Sequence, residues 1–327
     1  MQASGEFARR PEDLVQIIRD YADKLLEDGT TRGDLKILSR TLRELRYAFK
    51  VFSPYRSRRK VTIFGSARTR PEAATYQQAL DLGRRMAELN WMVITGAASG
   101  IMEAGHRGAG RNHAMGLNIM LPFEQSANEV IAGDTKLVHM KYFFTRKLMF
   151  VKECDGVVCL PGGFGTLDEA LEVLTLLQTG KHDMIPVVFL DAPGGKYWRR
   201  LVEFFHDELL DQGMISGEDR HLYRLTESVD EAVNELTQFY RVYHSMRYVK
   251  HRLVFRLQSP LTPAQLDQLN ADFADILVEG KYTQSNALPP EKDEPQLAHL
   301  PRLVFAFNRR NLGRLREVIN FVNLPAA

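Results

Sequence analysis

The chain carries a glycine-rich segment with two carboxylates directly behind it. Residues 161–169 read PGGFGTLDE and lie between the apolar run GVVCL and the run ALEVLTLLQTG. Glycine lets the backbone adopt positive φ and approach a ligand closely, and the free N–H groups at the start of a helix favour an anion such as phosphate. We therefore expect Gly162, Gly163 and Gly165 to bind phosphate, with Thr166 adding a hydroxyl.

Two further segments of the same kind follow apolar runs. They are FGSAR, residues 64–68, and TGAASG, residues 95–100, which contribute Ser66, Gly96 and Gly100. Three small-residue loops at one edge of a sheet predict a nucleotide or sugar-phosphate site. Neither a Walker A Lys-Ser/Thr nor a dinucleotide G-x-G-x-x-G occurs in the required context, which disfavours kinases and dehydrogenases.

Acidic and basic side chains accompany these loops. Glu169 and Glu172 are three residues apart and share one helical face, where an acidic pair could act on water or a ribose hydroxyl. Alternatively, TLDE is a capping box in which Thr166 caps the helix and Glu169 bonds back to it. Arg146 and Lys147, in YFFTRKLMF, offer donors for a phosphate or a developing charge.

The elements that must position these residues alternate in type along the chain. The apolar runs VTIFG, WMVITG, MGLNIML, GVVCL and IPVVFL are typical of buried strands, and helix-like segments separate them. This alternation predicts an α/β fold with a parallel sheet covered by helices on both faces. Ligands collect at the carboxyl ends of such strands.

Segments of different character flank this core. Residues 1–55 predict an N-terminal helical extension, in which leucines from Leu35 to Leu45 step by three and four along one face until Pro54. Residues 56–247 form the predicted main domain. Residues 248–327 predict a small α+β appendage with one helix capped by Thr262.

Composition restricts the class of protein. The net charge of +2 over 327 residues does not indicate nucleic acid or a membrane surface as a partner. Residues 43–60 carry seven basic side chains against one acid, and we favour a solvated helix end over an anionic partner there. Cys154 and Cys159 fit no usual metal spacing and predict free core thiols. No long apolar run or signal-peptide core occurs, so we expect a cytoplasmic protein.

The segment PGGFGTLDEALEVLTLLQTGKH resembles the PGGxGTxxE signature of the LONELY GUY (LOG) family, the nucleoside 5′-monophosphate phosphoribohydrolases often mislabelled "lysine decarboxylase". The segments VTIFGSARTRPE, GIMEAGHRGA, GLNIMLPFEQ and YFFTRKLMFVKECDGVV resemble, in the same order, longer bacterial members of that family. The resemblance covers roughly residues 60–245.

The resemblance implies a Rossmann-like fold and a homodimer, or a higher homo-oligomer, with active sites near the interface. It implies hydrolysis of the N-glycosidic bond of AMP-like or cytokinin riboside monophosphates to free base and ribose 5-phosphate, without metal or organic cofactor. By motif position, Arg146 and Glu169 would be catalytic. The residues that would bind substrate are Gly162, Gly163, Gly165, Thr166, Ser66, Lys147, Gly96 and Gly100, and the candidates for a supporting role are Glu172 and Glu103.

One loop departs from the family pattern. Longer relatives usually carry GGGPGIMEA, whereas this chain has GAASGIMEA, and Ala97, Ala98 and Ser99 restrict the backbone. Ligand contact at this loop and base preference therefore stay open. A non-catalytic nucleotide-binding or molybdopterin-cofactor-carrier protein is the alternative. Lysine decarboxylation needs a Schiff-base lysine with aspartate partners, and the sequence presents none.

Overall fold

The structure is a computed structural model that describes residues 10–121 and 126–325. The described chain divides into two compact units, of which the first ends at Lys50 and the second begins at Val51. The first contains α1 (Pro11–Glu27) and most of α2 (Arg32–Phe52), so the predicted helical extension is confirmed. No residue of α1 is buried, and Leu38 and Leu42 on the predicted apolar face of α2 are exposed.

A seven-stranded parallel sheet forms the centre of the second unit. Its strands are β1 (Lys60–Phe64), β2 (Met92–Thr95), β3 (Ala114–Ile119), β4 (Leu137–Met140), β5 (Gly156–Cys159), β6 (Val187–Leu190) and β7 (Arg224–Thr226). They lie in the order β4-β3-β2-β1-β5-β6-β7. The five predicted strands are confirmed. The two edge strands, β4 and β7, were not predicted from the sequence; they have four and three residues.

Helices cover both faces of this sheet, as predicted. They are α3 (Ala74–Glu88), α4 (Ile101–Ala109), α5 (Phe143–Lys152), α6 (Phe164–Gln178), α7 (Tyr197–Phe204) and α8 (Val229–Gln238). Ile63 of β1 belongs to a core shared with α3, α4 and α8. The next residue, Phe64, faces the opposite way and makes an edge-to-face contact with Phe150 of α5. Alternation along a strand thus assigns α5 to the other face.

A second, antiparallel sheet follows. It consists of β8 (Tyr243–Val249), β9 (Arg252–Leu257), β10 (Leu277–Ser285) and β11 (Arg302–Phe307), in the order β10-β11-β9-β8. Two helices accompany it, α9 (Pro263–Asp272) and α10 (Leu312–Val322). The Thr262 cap is confirmed, because its hydroxyl accepts from the N–H of Gln265. The proposed division after residue 247 falls within β8 and stays a prediction.

Some predicted segments differ from the structure or lie outside it. The helix predicted from Tyr197 is α-helical only to Phe204 and continues as a π-helix over Phe205–Leu210. The last four residues of GLNIMLPFEQ, residues 122–125, lie outside the described chain, as do residues 1–9 and 326–327. None of the helices in the described ranges is both long and apolar enough to cross a membrane.

Candidate active site

The three predicted loops meet at the carboxyl edge of the parallel sheet. They follow β2, β1 and β5, which are neighbours in the sheet, and they surround a cavity of about 1040 Å³. Eight of the predicted site residues line this cavity: Ser66, Gly96, Arg146, Gly162, Gly163, Gly165, Thr166 and Glu169. The tertiary structure therefore brings residues from four separate segments into one site.

Residues 161–166, here called the glycine loop, present unpaired donors. Helix α6 begins at Phe164, with Gly163 as its N-cap. In the described part of the chain, the N–H groups of Gly163, Phe164 and Gly165 donate to no protein acceptor, and the carbonyl of Pro161 accepts from the Ser66 N–H (3.2 Å). Free N–H groups at the positive end of a helix dipole make this loop suited to an anion.

The capping-box interpretation of TLDE is wrong. Because α6 begins at Phe164, Thr166 lies inside its first turn and donates its N–H to the Gly163 carbonyl (3.0 Å). Position 162 requires glycine, since a Cβ there would lie 2.7 Å from the Cβ of Thr166 and 3.0 Å from the Ser66 nitrogen. The Glu169 carboxylate is therefore not used in a helix cap.

Glu169 is a buried carboxylic acid at the cavity wall. Its side chain is 5% exposed, and burial raises its pKa to about 7, although Lys147 and Arg146 act in the opposite direction. Its Oε2 atom has no hydrogen-bond partner among the described residues, and its Oε1 lies 3.9 Å from Arg146 Nη2. A carboxyl group that titrates near neutral pH inside a cleft is suited to acid–base or electrostatic catalysis.

Arg146 faces Glu169 across the site. Its guanidinium lies over the rings of Phe143 (5.0 Å) and Phe150 (5.5 Å), and its Nε is buried without an acceptor in the described chain. Burial lowers its pKa from the ordinary value of 12.5, yet an arginine remains charged at neutral pH. The side chain thus holds unused donors beside the glycine loop.

Lys147 lies behind the cavity rather than in its lining. Its Nζ contacts the carboxylates of Asp168 (2.9 Å) and Glu172 (2.8 Å) and lies 3.8 Å from Glu169 Oε2. This lysine therefore ties α5 to α6. Glu172 lies near Glu169, as predicted, and both carboxylates are close to the same cation, Lys147.

Gly100 and Glu103 also lie outside the cavity lining. Gly100 has φ +66°, and a Cβ there would lie 2.7 Å from the backbone of Ala67, so the second loop packs directly on the first. The neighbouring Ser99 hydroxyl donates to the Ala67 carbonyl (2.8 Å). Glu103 accepts from Arg107 (2.8 Å), one turn further along α4.

Comparison with known proteins identifies relatives of this chain. A family model described as "Possible lysine decarboxylase" matches residues 95–236. The protein named "Cytokinin riboside 5′-monophosphate phosphoribohydrolase LOG3" of Arabidopsis thaliana is 31% identical over 188 residues, which cover 55% of this chain and 83% of that protein. "Probable cytokinin riboside 5′-monophosphate phosphoribohydrolase LOG4" of Oryza sativa subsp. japonica is 30% identical over 187 residues, covering 55% and 77%.

The chain belongs to the LOG family. Among solved structures, it is similar to the molybdenum cofactor binding protein from Rippkaea orientalis, with 20% identity, coverage of 54% of this chain and 94% of that one, and a TM-score of 0.36. It is also similar to the molybdenum cofactor carrier protein from Chlamydomonas reinhardtii, with 18% identity, coverage of 55% and 97%, and a TM-score of 0.39.

The loop in which this LOG-family chain departs from the pattern is held by a buried network. Ala97 adopts φ +60°, a conformation that favours glycine, and its side chain is fully buried. The His106 Nε2 lies 3.1 Å from Thr95 Oγ1 and 3.0 Å from the Met115 carbonyl, and its Nδ1 accepts from Asn128. Asn128 also donates to the Ala98 carbonyl. Hydrogen bonds to Met115 of β3 and to Asn128, in the segment after β3, thus hold this loop in place although it has alanines where relatives have glycines.

Two polar side chains of the cavity lining, those of Tyr197 and Arg68, were not predicted from the sequence. The Tyr197 hydroxyl donates to the Gly162 carbonyl (2.7 Å) and so fixes the glycine loop from the start of α7. Arg68 lines the cavity and forms no ion pair within the described ranges. Arg68 belongs to the segment FGSAR, which is one of the three predicted loops, so its position near the site is predictable from the sequence. The position of Tyr197 is not, because 35 residues separate it from Gly162.

Proposed function

We propose that this LOG-family chain hydrolyses the N-glycosidic bond of nucleoside 5′-monophosphates, with cytokinin riboside monophosphates or AMP as substrates. The observation that supports this most is Glu169, a buried carboxyl group with a pKa of about 7 in the same cavity as a loop of unpaired amides. The names of the relatives support a phosphoribohydrolase in particular.

In the proposed reaction, the glycine loop binds the 5′-phosphate and thereby positions C1′ near Glu169. Water adds to C1′ as the bond to the base breaks through an oxocarbenium-like state. The bonding electron pair leaves with the base, which takes up a proton, and the attacking water loses one. The ionised Glu169 would orient this water and stabilise positive charge on the ribose. Arg146 would bind the phosphate, the ribose hydroxyls or the departing base.

We further propose that the chain acts as a homodimer through the surface beside the site. Phe143, Phe144 and Leu148 of α5 are about half exposed, Leu171 of α6 is 41% exposed, and Phe164 in the glycine loop is 92% exposed. They lie on two helices that Lys147 ties together, and exposed apolar side chains on adjacent helices are typical of protein–protein contacts. A second copy bound here would exclude water from the cavity mouth.

Release of free base from purified protein tests the proposed function. AMP, a cytokinin riboside 5′-monophosphate and a pyrimidine monophosphate would be incubated separately, and base and ribose 5-phosphate quantified by chromatography. We expect equal amounts of the two products from at least one purine monophosphate. Glu169→Gln should reduce turnover by about 10²–10⁴.

The alternative function, non-catalytic binding of a nucleotide or a molybdopterin-type cofactor, makes a different prediction. Calorimetry would then detect AMP binding at the glycine loop, while chromatography would find no adenine even after prolonged incubation. That result would contradict the proposed hydrolysis.

A further inference from the structure

A second cavity, of about 960 Å³, lies at the opposite edge of the parallel sheet. We call it the amino-edge cavity. Arg59 and Asp155, which directly precede β1 and β5, line it, as does Tyr243 at the start of β8. It therefore lies between the two sheets. Strand β1 ends in the candidate active site and has five residues at about 3.3 Å each, so the cavities are roughly 15 Å apart.

The lining of the amino-edge cavity is positively charged. Two carboxylates, those of Asp155 and Asp183, face five cationic side chains, which gives the lining a formal charge of +3 with histidines neutral. Lys152 is paired with Glu153, a carboxylate outside the lining, and this pair reduces the formal charge to +2. Asp155 is already occupied by Arg59 (2.7 Å). The five cations are Arg56, Arg58, Arg59, Lys152 and Lys181.

Several of these cations have no carboxylate partner. Within the described residues, the side chains of Arg56 and Lys181 form no ion pair or hydrogen bond. Arg58 donates to the neutral Asn90 Oδ1 (2.5 Å), and its Nε is buried without an acceptor in the described chain. A planar guanidinium with unused donors is suited to phosphate oxygens.

His244 also lines the cavity. The pKa of His244 is lowered to about 4, first by burial and then by the charges of Arg59 and Arg256. Tyr240, Ser245 and other polar side chains complete the lining. A volume below 1,000 Å³ with a few convergent polar groups is typical of small-molecule sites.

We infer that the amino-edge cavity binds a small phosphate-bearing anion. Lys152 ends α5 and Lys181 follows α6, where they offset the negative ends of these helices. Arg56 and Arg58 are additional to that requirement and keep unused donors for the ligand, whereas Arg59 is already paired with Asp155. Their position gives a function to the last part of the basic segment, residues 56–59.

The ligand would contact the helices that carry the proposed catalytic pair. Helix α5 carries Arg146 and ends at Lys152, six residues or about 9 Å further on. Helix α6 carries Glu169 and leads to Lys181. Binding at the amino-edge cavity can therefore bias the relative position of α5 and α6 and hence the active site. This coupling rests on the proposed function, whereas the binding site does not.

Calorimetric titration with inorganic pyrophosphate tests the site. The full chain would be compared with the double variant Arg56→Gln/Lys181→Gln and with the matched control Lys281→Gln/Lys292→Gln, which removes two exposed cations outside the cavity. We expect the first variant to lose one binding event or to weaken it about tenfold or more, and the control to bind as the unmodified chain does. Equal titrations for all three proteins would overturn the site.

The kcat at saturating AMP tests the coupling separately. Pyrophosphate that competes at the glycine loop raises KM and leaves kcat unchanged, in every variant. We expect a change in kcat of about fivefold in the unmodified chain and the control, and none in Arg56→Gln/Lys181→Gln. A kcat that does not respond in the unmodified chain, despite binding, would overturn the coupling. A chain without activity on any nucleotide would contradict the proposed function, while the titration would still decide the site.

Discussion

The substitution Glu169→Gln should separate catalysis from stability. The carboxyl group is buried at the cavity wall, and its pKa is about 7 against an ordinary value of 4.5. Between these two pH values the folded state keeps a proton that the unfolded state has lost. The stability that the protonated group contributes is therefore fully present below pH 4.5 and is lost as the pH rises through 7.

The expected magnitude follows from the gap between the two pKa values. At about 1.4 kcal/mol per pH unit, the unmodified chain loses about 3 kcal/mol of unfolding free energy through this one group by pH 8. The amide introduced by Glu169→Gln imitates the protonated form and cannot ionise. The variant should therefore gain stability relative to the unmodified chain by about 3 kcal/mol on going from pH 4 to pH 8, while its turnover falls by about 10²–10⁴.

Urea denaturation of both proteins at several pH values measures this trend, and base release from AMP measures turnover. The matched control is Glu172→Gln, which removes a partly exposed carboxylate one turn further along the same helix. A stability difference that stays constant from pH 4 to pH 8 would refute the buried, proton-holding carboxyl group. Full turnover in a folded Glu169→Gln protein would refute its catalytic role.

The pH profile of kcat/KM and three further substitutions test other parts of the structure. If the ionised Glu169 is required, kcat/KM should rise with an apparent pKa near 7, and a profile that is flat from pH 5 to 9 would contradict this. Gly162→Ala should destabilise the fold by about 1–3 kcal/mol in thermal or urea unfolding, because the added methyl group overlaps Thr166. Gly163→Ala is the control and should not destabilise the fold, because a Cβ at position 163 has no atom within 4 Å. Equal losses of stability in the two variants would show that the loop packs differently. The buried ring of His106 is neutral in the folded state, with a pKa of about 4, and takes up a proton on unfolding below pH 6.5, so the unmodified chain loses stability as the pH falls from about 6.5 to 4. His106→Gln should reduce this loss. Parallel acid denaturation curves for the two proteins would argue against a neutral ring. Leu148→Asp should lower the mass found by light scattering to that of one chain. Val278 of β10 is also exposed, and the control Val278→Asp should leave the mass unchanged. An unchanged mass for Leu148→Asp would exclude α5 from the interface.

Local patterns in the sequence were sufficient for much of the fold. Each of the five central strands is a short apolar run, and segments of helical character separate these runs along the chain. The glycine loop was also predictable, because strand, loop and helix are contiguous between residues 156 and 178. The edge strands β4 and β7 were not, because each is only partly buried and contains a polar, exposed residue, His139 in β4 and Arg224 in β7, whereas the four-residue strands β2, β5 and β6 are wholly buried.

The sequence by itself determined which residue types stand near the cavity, since adjacent parallel strands bring their following loops to one edge. Only the tertiary structure decided what state those residues are in. Burial between α5 and α6, and not residue type, raises the pKa of Glu169. Lys147 is directed to three carboxylates rather than to the cavity. Thr166 is not the helix cap that its spacing suggested, because α6 begins two residues earlier, at Phe164.

The same reason explains the amino-edge cavity. Arg56 and Lys181 are 125 positions apart in the chain, and β8 adds the third wall from yet another segment. The charge of a site depends on which distant side chains face one another and how far water is excluded, and both depend on long-range packing. The basic stretch before β1 is visible in the sequence. Only the packing of the two sheets places its last arginines, Arg56, Arg58 and Arg59, in the lining of a cavity.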